Sequence, residues 1–508
     1  MFKKNLWLIV ILLLAFGLRF YKLAEVPHGM TWDEAAIAYN GFAIFHTRRD
    51  EWLEKLPISF RSFGDYKAPF AIYQSGFFTA IFGMNLWAVR LPFALHGVLA
   101  VFGIYLLFQE LFSQDKNKKR WALLAAFLLA ISPWHLHYSR IGFESGIALN
   151  LVIWTLYFFH RYLRVEKLTN LLLATLLGVL SIYTYHSSKI MLPLLFLFLV
   201  CSHRSFFKTK IKDFVIILVV GCLALVPFFY DALFANGLTR ANSTLFGQGL
   251  NFFSLLANLA TNFFSYLSPN FLIFGENMGN FRHGDGKFGV IEPISLILIL
   301  FYLFFTKSKK QDKELLYLAL ANILFGFLPA IISEGQSSSN RSLLALPGLI
   351  LLTVLAIRAI FNTLNTNKNK KIFLPSLIGF YLIILLAYQC NYYQNFAKDS
   401  ANDFMDGYLD TLWYLRSLDR SGVKQIVFTN DYQQAYIYAL FAFEVNPIAY
   451  QGGLLNLFFF TEKIDESDLA KANTIVVASK FDQMGDRVAD KVIKGSDGIG
   501  RFFVYLPL

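Results

Sequence analysis

Thr31-Trp32-Asp33-Glu34, followed by Ala35-Ala36-Ile37-Ala38-Tyr39, places two carboxylates in the first turn of a predicted helix. A structural duty is available to one of them. With Thr31 as N-cap, Glu34 stands three residues on, where a capping box lets its side chain reach back to the Thr31 N–H. Asp33 lies outside that box, about 100° around the helix axis from Glu34. The positive end of the helix dipole favours its ionised form, so Asp33 can accept a proton at neutral pH. Two acids in a first turn are commonplace on their own. What gives them weight is their company. Asp65, Lys67, Arg90, His135, His137, Arg140, Glu144, His186, Lys189, Arg282, His283, Asp285, Asn340 and Arg341 all fall in the segments joining one set of apolar-run ends.

Other chemistries find little support. There is no G-x-x-x-x-G-K-[ST] loop for a nucleotide. The run Gly284-Asp285-Gly286-Lys287-Phe288-Gly289 spells G-x-G-x-x-G, but it follows no predicted strand and so lacks the βαβ setting of a dinucleotide site. No D-x-D pair and no compact His/Cys spacing suggests a bound metal. His135 and His137, beside Trp134, read as interfacial anchors rather than ligands. Cys201, Cys222 and Cys390 sit on three different predicted helices and read as apolar filler.

The elements that must position these residues are membrane helices. Hydrophobic residues make up 56% of the 508 and charged residues 16%, against about a quarter charged in soluble domains. Basic clusters at Lys3–Lys4, Lys116–Arg120, Arg161–Lys167, Arg204–Lys212, Lys307–Lys313 and Lys368–Lys371 fall in every second connection, the pattern of the positive-inside rule. The net charge of +12 is therefore topological and excludes a nucleic-acid partner as the working reading. Anchoring those clusters inside yields about eleven spans, from Asn5–Phe20 to Ile372–Cys390. The expectation is an all-α polytopic protein of the plasma (inner) membrane with a cytoplasmic N-terminus. Residues 1–396 would form the membrane domain, with long outer loops at 21–86 and 231–290. Phe70–Phe82 and Leu250–Leu267 carry Gln74, Asn258 and Asn262 and are assigned to helices in the outer interface. Residues 397–508 alternate β-rich runs (Gln425–Thr429, Thr474–Ala478, Arg501–Tyr505) with helical stretches and predict a small extracytoplasmic α/β domain.

The mixed polar residues thus gather at the outer face, where loops on a rigid scaffold assemble sites. The span centres are almost free of ionisable groups. That distribution disfavours a transporter, which binds its coupling ion near the midplane.

Several stretches, in order, resemble a known family. They are Thr31–Ala35, then Ser62-Phe63-Gly64-Asp65-Tyr66-Lys67-Ala68-Pro69, then Ala88-Val89-Arg90-Leu91-Pro92. Ser132-Pro133-Trp134 through Glu144, Tyr183-Thr184-Tyr185-His186, Asn280-Phe281-Arg282-His283 and Asn340-Arg341-Ser342 through Pro347 follow. The chain resembles lipid-donor glycosyltransferases of the GT-C fold, bacterial relatives of protein O-mannosyltransferases and of the lipid A aminoarabinose transferase. The resemblance implies that Asp33 is the catalytic base, with Glu34 beside it mainly structural. The family's basic-residue-Pro-Pro stretch stands here as Lys67-Ala68-Pro69, which keeps the cation and loses the first proline.

A polyprenyl phosphate leaving group needs cations where negative charge develops. Lys67, Arg140, Arg282 and Arg341 are the candidates for the donor phosphate. Asp65, Arg90, Glu144, Tyr185, His186, Lys189 and His283 are candidates for wider substrate contacts. A polyprenyl-phosphate sugar would be the donor substrate, with no cofactor or metal required, and the acceptor a lipid, a glycan or a protein. A polymerase or ligase moving a whole glycan from a lipid pyrophosphate is the alternative within enzymes.

Overall fold

The protein is described by a computed structural model covering residues 2–235, 239, 244–275, 280–306, 310–335, 338–364 and 366–507. Of the basic cluster Lys307–Lys313, residues 307–309 lie outside the described residues.

The helices run α1 Phe2–Phe20, α2 Trp32–Thr47, α3 Pro69–Phe82, α4 Leu86–Leu111, α5 Lys118–Ile131 and α6 Pro133–Tyr138. They continue α7 Glu144–Val165, α8 Leu168–Ile182, α9 His186–Ser202, α10 Arg204–Thr209, α11 Ile211–Phe234 and α12 Phe252–Leu267. Then come α13 Pro293–Phe305, α14 Lys310–Ile331, α15 Ser339–Ser342, α16 Leu346–Thr363 and α17 Asn367–Asn391. The apolar segments assigned to spans coincide largely with these helices. Among the described residues, five helical stretches are long and apolar enough to cross a membrane: Leu86–Leu111, Ile211–Phe234, Asp312–Ile331, Ser339–Thr363 and Asn367–Asp399. Asn5–Phe20, Leu168–Ile182, His186–Ser202 and Pro293–Phe305 are apolar but shorter than 18 residues. The predicted span Trp121–Tyr138 is broken in two, because Pro133 disfavours helical geometry at the residue before it. Ser132 there ends α5 and caps α6, accepting from the His135 N–H at 3.4 Å.

The chain divides into two compact units. The first comprises Met1–Tyr21, Ile58–Phe70 and Phe93–Gln389. In it α7 packs on α8, α14 on α9 and α16, α11 on α8, and α1 on α5. It also holds a small hairpin, β1 Phe60–Ser62 paired antiparallel with β2 Asp65–Lys67. Phe63 and Gly64 turn the hairpin at φ 52° and 80°, the two positive values that a tight two-residue loop needs.

The second unit comprises Lys22–Pro57, Ala71–Pro92 and Cys390–Leu508. It differs from the predicted 397–508 domain by taking in most of the first connection. Its sheet has the order β4-β3-β5-β7-β6, with β3 Gln425–Thr429, β4 Phe458–Thr461, β5 Thr474–Ser479, β6 Lys491–Lys494 and β7 Gly500–Tyr505. β3 pairs parallel with β4 and β5, whereas β7 pairs antiparallel with β5 and β6. β5 is buried along its whole length, as its unbroken Thr-Ile-Val-Val-Ala-Ser run requires.

Two glycine contacts hold the first connection within this unit. Gly41 and Gly76 let α2 and α3 touch backbone to backbone: a Cβ on Gly76 would lie 2.2 Å from the Gly41 carbonyl oxygen. Gly29, at φ 69°, lies so close to Phe404 and Asp406 that a Cβ would sit 2.4 Å from the Phe404 carbonyl oxygen. Tyr39 and Tyr438 add hydrogen bonds to the Val445 and Met30 carbonyls at 2.9 and 2.8 Å.

Candidate active site

In the second unit the capping box forms as read from the sequence. Thr31 Oγ1 accepts from the Glu34 N–H at 3.2 Å, and Glu34 Oε2 accepts from the Thr31 N–H at 3.0 Å. Glu34 does more than cap. Its side chain is fully buried and paired with the equally buried Arg90, whose Nε donates to Oε1 at 2.8 Å and whose second terminal nitrogen donates to Oε2 at 3.3 Å. The remaining Arg90 donors go to the carbonyls of Leu23, Pro27 and Gly29. A guanidinium has five N–H groups, and all five are consumed. Arg90, expected among the substrate contacts, therefore fastens the loop before α2. Asp33 is half-buried in the first turn of α2.

The same unit holds charges that pattern-reading missed. His28 Nδ1 lies 2.6 Å from Asp406 Oδ1, and the Ser496 N–H donates to Asp406 Oδ2 at 2.7 Å. Hydrogen bonding to Asp406 raises the His28 pKa, and the bonds Asp406 accepts from His28 and Ser496 outweigh its burial to lower its own. With Asp410, these two form a group whose candidate metal-ligand atoms lie within 4.8 Å of one another.

Glu51 is buried at 1% exposure, its N–H donating to Asn40 Oδ1 at 3.0 Å and its carboxyl accepting from Asn40 Nδ2 at 3.4 Å. Burial first, then the charge of Asp50, pushes its pKa up to about 8. The folded state thus keeps a proton that the unfolded chain, with a Glu pKa near ~4.3, has released. The sign follows: this residue's contribution is fully present below about pH 4 and is lost as pH rises toward 8. Thermal unfolding in detergent at pH 5, 6.5 and 8 should show stability falling with pH, and Glu51→Gln should flatten that fall. Superimposable wild-type and variant profiles would refute the assignment.

In the first unit, one end of the bundle gathers most of the other predicted residues through a chain of contacts. Lys67 closes the hairpin, its Nζ 3.9 Å from Glu144 Oε1, with the two side chains only 13% and 10% exposed. Asp65 begins the same strand and accepts from the Tyr66 N–H. His186, first in α9, pairs through Nε2 with the Tyr66 carbonyl at 3.0 Å and so fixes the strand that carries Lys67. Tyr185 precedes it as a buried N-cap, and Lys189 lies 5.0 Å from the centre of the Phe228 ring. Ser187 donates to the Arg341 carbonyl at 3.0 Å, and Arg341 is partly exposed, with its guanidinium on the Glu334 carbonyl. Tyr138 then links Ser339, at 2.7 Å, to His283 Nδ1, at 3.4 Å. His137 Nε2 meets the Arg282 carbonyl at 2.9 Å. His135 and His137, read as interfacial anchors, are in fact buried network members.

Arg140 is drawn inward. At 2% exposure it donates to the Leu18 and Arg19 carbonyls at the end of α1. Arg19, fully buried, donates in turn to the Leu129 and Ala130 carbonyls at the end of α5 and lies 2.8 Å from His135 Nδ1. Cations on the last carbonyls of a helix satisfy groups that have no intrahelical partner. A lone arginine in the last turn of an apolar helix was the one sequence signal for this arrangement.

The family model described as dolichyl-phosphate-mannose-protein mannosyltransferase matches residues 66–230. The fold is similar to that of ArnT from Cupriavidus metallidurans in the apo state, at a TM-score of 0.58 and 13% identity, covering 99% of this chain and 98% of that one. The chain has the GT-C fold. A second GT-C structure, ArnT bound to undecaprenyl phosphate, is similar at a TM-score of 0.55 and 13% identity over 98% of both chains. The Archaeoglobus fulgidus oligosaccharyltransferase in the apo form gives a TM-score of 0.54 and 15% identity, covering 94% of this chain and 70% of that one. Comparison with curated proteins returns no match.

Proposed function

We propose that the protein is a membrane glycosyltransferase that moves a sugar from a polyprenyl-phosphate carrier to an acceptor at the outer face of the membrane. The observation that carries this reading is the commitment of Glu34. Both of its oxygens are taken, by Thr31 and by Arg90, so of the acidic pair the role of base falls to Asp33. The relatives support the donor class: the family model is named for a lipid-phosphate-mannose donor, and one similar structure binds undecaprenyl phosphate.

The chemistry is a single displacement. Asp33 takes the proton of the acceptor hydroxyl or amine as that atom bonds to the anomeric carbon. The bond from the anomeric carbon to the phosphate oxygen breaks, and the polyprenyl phosphate leaves with the electron pair. Lys67 and Arg341 are assigned to the charge that develops on that phosphate, with Arg282 and His283 as further contacts. Attack opposite the leaving group inverts the anomeric centre.

The purified protein should transfer sugar from a polyprenyl-phosphate-linked donor with inversion, as NMR of the product would report. Retention of configuration would remove the mechanism. Lys67→Ala and Arg341→Ala should each weaken polyprenyl phosphate binding by roughly 10-fold or more, the scale of one charge-assisted hydrogen bond. Unchanged binding in both variants, measured on folded protein, would refute the cation assignment.

A further inference from the structure

The first unit has a polar cavity at the end of its bundle opposite Glu144, and the proposed reaction does not use it. Along α7, Arg164 lies 20 residues from Glu144, about 30 Å at helical rise. There a cavity of about 630 Å³ opens between the ends of α4, α7, α9 and α14. Its lining includes His160, Arg164, His203, Glu110 and Glu314. Among the described residues, the His160 Nε2 is buried and has no hydrogen-bond partner. Arg161 and Arg164 both bond the carboxylate of Glu110, at 3.1 and 2.9 Å. Arg161 lies outside the lining, but by sharing Glu110 it leaves the positive charge of Arg164 only partly neutralised. Glu314, exposed on α14 across the cavity, supplies a separate negative charge.

A second void adjoins this one. Leu199 lines the cavity and also a groove of about 260 Å³ between α7, α8, α9 and α11. That groove is almost wholly apolar, and Gly178 and Gly221 widen it by presenting no side chain. A polar chamber with one cationic and one anionic side, sharing the Leu199 wall with an apolar groove, matches the charge and polarity of one amphipathic molecule.

The geometry points to a bound aminophospholipid. Its phosphate would face Arg164, its primary ammonium would face Glu314, and an acyl chain would enter the groove past Leu199. A primary ammonium can donate hydrogen bonds to Glu314, which a glycerol headgroup cannot match in charge and a trimethylammonium cannot match in bonding. This inference does not rest on the proposed transfer reaction.

The test is native mass spectrometry of the full chain, delipidated in detergent and titrated separately with phosphatidylethanolamine, phosphatidylcholine and phosphatidylglycerol. Phosphatidylethanolamine should be retained roughly tenfold more strongly than either of the others. Glu314→Gln, at an exposed position, should erase that preference, and Leu199→Trp should lower retention of all three by blocking the groove. Soluble phosphoethanolamine should not compete at concentrations where the lipid saturates. Equal retention of the three lipids, the mark of annular lipid only, would overturn the proposal. So would a preference that survives Glu314→Gln, or full competition by the soluble headgroup.

Discussion

Asp33→Asn should lower sugar transfer by roughly 10²–10⁴, the range that a positioned general base contributes, while the protein remains folded. The substitution preserves size and much of the hydrogen bonding at a half-buried position in the first turn of α2. Its structural cost includes the helix-dipole contribution of one carboxylate, about 0.3–1 kcal/mol. The measurement is transfer per folded molecule, with the thermal unfolding midpoint recorded on the same preparation. If Asp33→Asn turns over at the wild-type rate, Asp33 is a helix start and nothing more, and the transporter reading regains its footing.

Glu34→Gln should produce the second large effect, on stability rather than on chemistry. A capping box alone tolerates Gln at this position, and on the sequence alone this variant would be expected to pass almost unnoticed. The buried Arg90 changes that expectation. Removing one partner of a buried ion pair costs about 3–5 kcal/mol, because the other charge is left uncompensated. Against a total stability of about 5–15 kcal/mol, that is enough to reduce the folded yield sharply. Arg90→Met should be similarly harmful, whereas Glu34→Leu with Arg90→Met should recover part of the loss, since apolar replacement of a whole buried pair is often neutral. The molecules of Glu34→Gln that do fold should still transfer sugar. A Glu34→Gln protein of wild-type stability and no activity would exchange the roles of the two acids.

The comparison of these two residues shows which kind of information the sequence carried. The capping box was legible because both of its members lie within four residues and the geometry is local. The Glu34–Arg90 pair spans 56 positions, and no periodicity connects its members. Lys67 was legible as a cation beside Pro69, but its counter-ion Glu144 and its brace His186 arrive from two other helices. The helices themselves were largely readable, because bilayer-length apolar runs and alternating basic clusters are one-dimensional signals. In the sheet, β3, β5 and β7 were found and the edge strands β4 and β6 were not. Phe458–Thr461 and Lys491–Lys494 are each four residues long, too short for alternation to register.

Gly29, Gly41 and Gly76 bear on what can be exchanged between relatives. The chain enters the second unit three times, through Lys22–Pro57, Ala71–Pro92 and Cys390–Leu508. The three passes are joined by backbone contacts that any added side chain would obstruct. The C-terminal sheet is accordingly no detachable cargo. A cut near residue 397 would separate Asp406 from His28, Val445 from Tyr39 and Tyr438 from Met30. The heritable module is the stretch from His28 to Tyr39, which carries the proposed base Asp33, together with Phe404, Asp406, Tyr438 and Val445 that hold it, so a substitution at Tyr438 or Val445 bears on the presentation of Asp33, though more than 400 residues separate them in sequence.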